Sequence, residues 1–229
     1  MPDKRPTLRD RALRTATRLK TRGPLEIAGL VRGRVTEWLR SDEELLMLVR
    51  DAGATTPAFR HDPALVFRAA GPDDAGLYAA AIGTDSPATF RRRLSETTDC
   101  FFVEDGDGEL LHASWVTTGA AWTREIRAYV LPPPGDAYVY ESFTTPEARG
   151  RGVYPFALAG ICSWAVSEGV GRVWVAVESA NAPSLRAITK AGFEPSYSMS
   201  YGRRLGRLTL VIERPEGVPV PEVSRALRA

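Results

Sequence analysis

The chain has 229 residues, 44% of them apolar and 25% charged, with a formal net charge of +2. These values suit one ordinary globular domain plus an appendage and exclude a disordered chain or a disulfide-stapled miniprotein. No apolar run nears the roughly 18 residues that a membrane-spanning helix needs. The charge is unevenly spread: residues 1–40 hold eleven Lys/Arg against four Asp/Glu and carry +7, so the rest sums to −5.

In chain order, residues 8–50 read as helical. Leu8, Leu13, Ala16 and Leu19 form a loose apolar stripe, and Arg22-Gly23-Pro24 breaks it. A second helix from Pro24 carries Ile27, Leu30, Val31, Val35, Trp38 and Leu39 at three- and four-residue spacing. Ser41-Asp-Glu-Glu44 has the look of a fresh N-cap, continued by Leu45 to Val49. Residues 52–63 have loop composition and are expected to link this basic arm to a body. The expected division is an extension over 1–63, a body over 64–213 and a loosely packed tail over 214–229.

The body opens with a strand at Leu65–Arg68, a helix from Gly71-Pro to Ala81 and a second helix from Ser86-Pro to Leu94. Cys100–Glu104 and Glu109–Thr118 pair as a hairpin about Gly106-Asp-Gly108. A short strand at Arg127–Leu131 precedes the central strand, Ala137–Phe143. Helix 153–168, strand Arg172–Val177, helix Pro183–Ala191 and a closing hairpin, Ser196–Tyr201 with Arg207–Glu213, complete the order. This is one continuous α/β arrangement without internal repeats. Cys100 and Cys162 lie in apolar surroundings and are read as buried reduced thiols. Met1-Pro-Asp-Lys-Arg5 has no apolar core and cleavage site behind it, so a cytoplasmic location is expected.

Two stretches carry chemistry. Glu141-Ser-Phe-Thr144 leads through Arg149-Gly150-Arg151-Gly152-Val153-Tyr154 into a helix. Backbone N–H groups where a strand hands over to a helix form a pyrophosphate receptor, since glycines permit close approach and the helix terminus adds partial positive charge. About thirty residues later come Asn181, Ser184 and Gly192-Phe193. With both motifs at this spacing, residues 64–213 resemble the GNAT superfamily of acyl-CoA-dependent N-acetyltransferases.

The resemblance implies the GNAT fold: a central mixed, mostly antiparallel sheet with a splayed parallel pair, flanked by helices and preceded here by the helical extension. It implies that acetyl-CoA, or another acyl-CoA, lies in the wedge as co-substrate. Gly150, Arg151, Gly152, Val153 and Tyr154, with Arg149, would hold pyrophosphate. Ser142, Phe143 and Thr144 would pair main-chain groups with pantetheine, and Asn181 and Ser184 would face the cofactor's lower arm. The implied activity is transfer of the acyl group to a primary amine of a small molecule or peptide by direct attack in a ternary complex. Two alternatives stay open: a non-catalytic acyl-CoA-binding module, and a long-chain N-acyltransferase working at a membrane.

The sequence departs from the family pattern at the chemistry. Ile188 stands where many members carry a proton-donating tyrosine, Ala176 stands where some carry a glutamate base, and Tyr154 replaces a small residue. Glu141 is the candidate base. Strict alternation would put it on one face with Val139 and Phe143, and Tyr138, Tyr140 and Ser142 on the other. Its competing roles are an anchor for the substrate ammonium and a plain surface glutamate. Glu178 is the reserve. Tyr154, Tyr140, Tyr197 and Tyr201 are available as acids without any fixed by spacing. His112 is read as structural or substrate-facing, His61 as a linker residue without a role, and two distant histidines give no metal spacing. Trp122 and the stretch Thr117–Asp136 are expected to shape the acceptor pocket. The arm could pack on the body or on a second protomer in a homodimer, or lie on anionic lipid; lacking interleaved aromatics, it is not expected to bind nucleic acid.

Overall fold

The computed structural model describes residues 40–204 and 207–225. Its strands are β1 (Arg40–Asp51), β2 (Val66–Ala69), β3 (Thr98–Glu104), β4 (Leu110–Thr117), β5 (Ala121–Thr123), β6 (Ala128–Leu131), β7 (Asp136–Thr144), β8 (Arg172–Glu178), β9 (Glu194–Arg204), β10 (Arg207–Glu213) and β11 (Glu222–Ser224). The α-helices are α1 (Ala75–Ile82), α2 (Pro87–Arg93), α3 (Val153–Ser167) and α4 (Ala182–Lys190). Eight strands form one sheet in the order β10-β9-β1-β8-β7-β4-β3-β2, and β11-β6-β5 form a small second sheet. Among the described strands of the large sheet only β7 and β8 run parallel, so the mixed and mostly antiparallel architecture implied by the family resemblance holds.

The core is split by the large sheet. On one face Tyr78 and Phe90 of α1 and α2 pack with Trp115, Tyr138, Tyr140 and Trp174, and the small sheet covers the rest. The Trp115 indole N–H donates to the Tyr78 hydroxyl at 2.8 Å, which lets a tryptophan be buried completely without an orphaned donor. The other face lies under α3 and α4, where Val139, Val175, Leu158, Ile161, Ile188 and Phe193 meet. Cys100 and Cys162 are both buried free thiols.

Three expectations need correction. The helix expected from Ser41 is strand β1, which lies between β8 and β9, inside the sheet of the body. Leu45, Met47 and Val49 pack on one face while Leu46 and Leu48 pack on the other. A strand buried on both faces reads as a continuous apolar run, which periodicity cannot separate from a buried helix. The tail expected to be loose instead supplies β11, whose Val223 opposes Val130 of β6, and Tyr197 donates to the Pro221 carbonyl at 3.4 Å. Residues 121–123, for which the sequence suggests no regular element, are β5. The helices expected over 8–39, with the roles weighed for the arm, lie outside the described residues.

The parallel pair is short. Its register runs from Asp136↔Arg172 to Val139↔Val175 and ends, although β8 goes on pairing with β1 as far as Glu178. The closed end is pinned by Asp136, which accepts from the buried Trp174 indole N–H at 2.8 Å and pairs with Arg172 at 2.8 Å. Beyond Val139 the two strands part.

Candidate active site

Parting of β7 from β8 opens a cavity of about 840 Å³. On the α1/α2 face its wall includes Leu45, Trp122, Thr123, Arg124, Glu125 and Glu141. Toward α3 and α4 it is lined by Gly150, Gly152, Tyr154, Asn181, Ser184 and Ile188. The gap in the sheet therefore connects the two faces. Of the residues singled out in sequence, Glu141, Ser142, Phe143, Thr144, Arg149, Gly150, Gly152, Val153, Tyr154, Asn181 and Ser184 all line it. Arg151 does not: its guanidinium turns away to Asp62, at 3.3 Å.

The turn into α3 owes its form to two left-handed glycines. Gly150 (φ 77°) faces open space, whereas a Cβ on Gly152 (φ 79°) would collide with the Arg60 carbonyl oxygen. The linker is thus folded against the turn, and His61, expected to have no role, lies on Phe156 with ring centroids 4.9 Å apart. Gly152 is the N-cap of α3, and among the described residues no side chain caps that terminus. Its first-turn N–H groups have no partner within the helix. Pro155 in the first turn has no N–H to offer, which leaves Val153 and Tyr154 as the donors there. Asn181 caps α4 by accepting from the Ser184 N–H at 3.2 Å.

Glu141 is placed by a break in the ladder. His112 opposes Thr144 and Ala113 opposes Phe143, but Trp115 opposes Tyr140, so Glu141 and Ser142 together face Ser114. This β-bulge holds Glu141 at φ +46°, a conformation that costs a non-glycine residue of the order of 1 kcal/mol or more. The bulge also corrects the expected alternation. Tyr140 and Phe143 lie opposite Trp115 and Ala113 of the α1/α2 face, while Ser142 bonds Ser114 on the other. Glu141 Oε2 pairs with Arg93 Nη1 of α2 at 2.7 Å, and the same nitrogen stands 3.5 Å from Asp85. The guanidinium lies 4.1 Å from the Trp115 ring centroid and 5.3 Å from that of Tyr140. An adjacent cation favours the carboxylate anion. Such an anion can hold an ammonium or, once substrate is bound, take its proton.

Arg93 and Asp85 escaped the sequence reading, because nothing in Arg91-Arg92-Arg93 marks which guanidinium turns inward. His112 was legible only as a lone histidine. In the structure it is fully buried between Thr144 and Ser114, and its alternation with Ser114 along β4 was the signal available. Glu178 lines the cavity and accepts from the Tyr201 hydroxyl at 3.1 Å. Trp122 also reaches the cavity, edge-on to Tyr129 with centroids 5.0 Å apart. Among the described residues no group of His, Cys, Asp and Glu is gathered closely enough to hold a metal ion, and no helix is long and apolar enough to cross a membrane.

The sheet thus parts between its two parallel strands, with a glycine turn and an uncapped helix start on the wall of the gap. The family profile for GNAT acetyltransferases matches residues 76–193, and the chain belongs to that family. Comparison with curated protein sequences finds no match. Among solved structures, a GCN5-related N-acetyltransferase from Sphaerobacter thermophilus superposes with a TM-score of 0.54 at 13% identity, over 80% of this chain and 56% of that one. A Drosophila protein superposes with a TM-score of 0.50 at 13% identity, over 81% of this chain and 60% of that one. At such identities the likeness speaks for the fold. This chain spans 56% and 60% of the length of those two proteins.

Proposed function

We propose that the protein transfers an acetyl or other short acyl group from acyl-CoA to a primary amine, in a ternary complex without a covalent enzyme intermediate. The observation that carries this is the four-pair parallel register, which ends where the cavity begins, with the uncapped start of α3 on the cavity wall. The fit is favourable: Gly150 borders open space, and the wedge edge of β7 beyond Val139 is no longer bonded to β8. Pyrophosphate is taken by the N–H groups of Gly150, Gly152, Val153 and Tyr154 with Arg149 beside them. The freed edge at Ser142–Thr144 pairs with the pantetheine amides, and Asn181 and Ser184 face its lower part from α4. Arg151, committed to Asp62, contributes less than the sequence suggested.

A small-molecule or peptide amine enters from the face that bears Trp122, Glu125 and Glu141. An alkylammonium (pKa ~10 by the lysine reference) must lose a proton before it can attack. Glu141, fixed by the bulge and by Arg93, is the group that anchors the ammonium and takes that proton. A main-chain N–H near Phe143 stabilises the oxygen of the tetrahedral intermediate as charge develops there.

The test begins with calorimetric binding of acetyl-CoA, followed by a screen of amines that reads thiol release. Glu141→Gln is expected to keep CoA affinity and lower kcat by about 10²-fold or more. If Glu141→Gln turned over every accepted amine at the wild-type rate, the role given to the carboxylate would be lost. A chain that binds CoA yet acetylates nothing in the screen would instead be a binding module.

A further inference from the structure

The face of the sheet beneath α3 carries a file of polar side chains to which acyl transfer, as laid out above, gives no task. His112 Nδ1 lies 2.7 Å from Thr144 Oγ1, and its Nε2 lies 2.7 Å from Ser114 Oγ. Ser114 Oγ lies 2.8 Å from Ser142 Oγ, and Ser142 in turn bonds the Tyr154 hydroxyl. The Tyr154 ring stacks on His112, centroids 5.0 Å apart at 25°. Five side chains thus run without a break from Thr144 to Tyr154, a residue that lines the cavity. Polar groups buried under a helix are costly unless every one is bonded, and apolar residues would fill the same space without that demand.

Because each hydroxyl donates one hydrogen bond, the direction of the whole file follows from the tautomer of His112. Burial pushes this imidazole down to about 3, so it is neutral at physiological pH, with one N–H and one lone pair. With the proton on Nε2, Thr144 donates to Nδ1, His112 donates to Ser114, Ser114 to Ser142 and Ser142 to Tyr154. The phenolic hydrogen is then left outside the file, on a residue that lines the cavity. The other tautomer reverses each bond and turns that hydrogen inward to Ser142. Two of the other tyrosines available as acids have their hydroxyls committed elsewhere: Tyr197 to Pro221 and Tyr201 to Glu178.

We propose that Tyr154 is the proton donor to the departing CoA thiolate, aimed by a file of positioning residues made of Ser142, Ser114 and His112. This rests on the acyl-CoA reading of the cavity. In the step, the amine nitrogen bonds to the thioester carbonyl carbon and the carbon–sulfur bond breaks. Its electron pair stays on sulfur, which takes the phenolic proton. The phenolate recovers, through water, the proton that the new amide nitrogen sheds, so the products are a neutral amide and a neutral thiol. Ser142 ties the two functions together: its main chain belongs to the pantetheine edge, and its hydroxyl touches the phenol.

The test needs no acceptor. CoA is bound to the full chain, and its thiol is titrated by thiolate absorbance in the ultraviolet. A phenol that donates to sulfur stabilises the thiolate, so the bound thiol should titrate below its reference value of ~8.5. Tyr154→Phe should raise that midpoint by about one pH unit while CoA affinity changes by less than about threefold. Ser142→Ala, which leaves the phenol unaimed, should move it the same way by about half a unit, and it decides the matter if the phenylalanine variant does not fold. Unmoved midpoints overturn the proton donor while leaving acyl-CoA binding intact. A wild-type chain that does not bind CoA overturns the underlying reading, and this proposal with it.

Discussion

Gly150 and Gly152 have nearly the same backbone conformation, φ 77° and 79°, but opposite surroundings, so one methyl group placed on each separates two energies. At Gly150 an added Cβ meets nothing within 4 Å, so the cost of Gly150→Ala is the left-handed conformation alone, about 1–2 kcal/mol. At Gly152 the same conformational cost applies, and the Cβ also collides with the Arg60 carbonyl oxygen and lies 3.3 Å from His61. The backbone of residues 60–61 must then shift, which adds about 1–3 kcal/mol by the usual scale for overpacking. Entropy removed from the unfolded chain is common to both changes and cancels in the difference. At about 3 °C per kcal/mol for a chain of this size, Tm should fall by about 5 °C in Gly150→Ala and about 10 °C in Gly152→Ala. Thermal unfolding by circular dichroism reads both. Acetyl-CoA affinity, measured by calorimetry, should suffer more per degree of Tm lost in Gly150→Ala, whose methyl enters the open side of the turn. Equal Tm losses would refute the packing of the linker on the turn before α3.

Two further outcomes concern the closed end of the wedge and the buried histidine. Asp136→Ala strands the buried Trp174 indole N–H, at a cost of about 1–3 kcal/mol, while the loss of Arg172, a quarter exposed, adds less than about 1 kcal/mol. A Tm unchanged within error would show that the parallel pair does not depend on that anchor. For His112 the folded-state pKa is depressed to about 3 by burial, so protons bind the unfolded chain first as pH falls below about 6.5. Above that pH the residue contributes nothing to the slope. Between pH 6.5 and 5 the stability of the wild type should fall by about 2 kcal/mol more than that of His112→Asn, which has no titrating ring. Urea unfolding at the two pH values checks this, and parallel curves for the two proteins would contradict the burial.

What was legible in sequence is what is local. Arg149-Gly-Arg-Gly152 leads into α3, and Asn181 caps α4, because turn and cap chemistry is written in a handful of adjacent residues. The splay itself was expected from the family resemblance. Its physical sign is the end of pairing after Val139, while Asp136 holds the other end shut. Three things were not legible. β1 has an apolar run because both of its faces are covered, and that run has no period to distinguish it from a helix. Glu141 was given the wrong face because one extra residue on β7 reverses every alternation beyond it, and a bulge has no necessary signature in sequence. The pairing of Glu141 with Arg93 joins residues 48 apart through the packing of α2 on the sheet, which no local pattern encodes. Tyr154 was visible as a departure from a small residue, yet its meaning depends on Ser142, Ser114 and His112 arriving beneath it.

The insertion of β1 between β8 and β9 has a consequence for how the molecule is made. Asp51 is paired with Arg172 and Leu45 with Met199, so a segment synthesised early stays without neighbours until the last quarter of the polypeptide emerges. Such distant pairing is slow, because loop-closure entropy is lost before the contacts that reward it form. A ribosome-bound chain therefore carries an apolar ribbon with two bare edges, open to self-association or to a holding chaperone. A fragment that begins at residue 64 would face the mirror problem: β8 and β9 would have a vacant slot between them, and the wedge beside it would lose one of its walls.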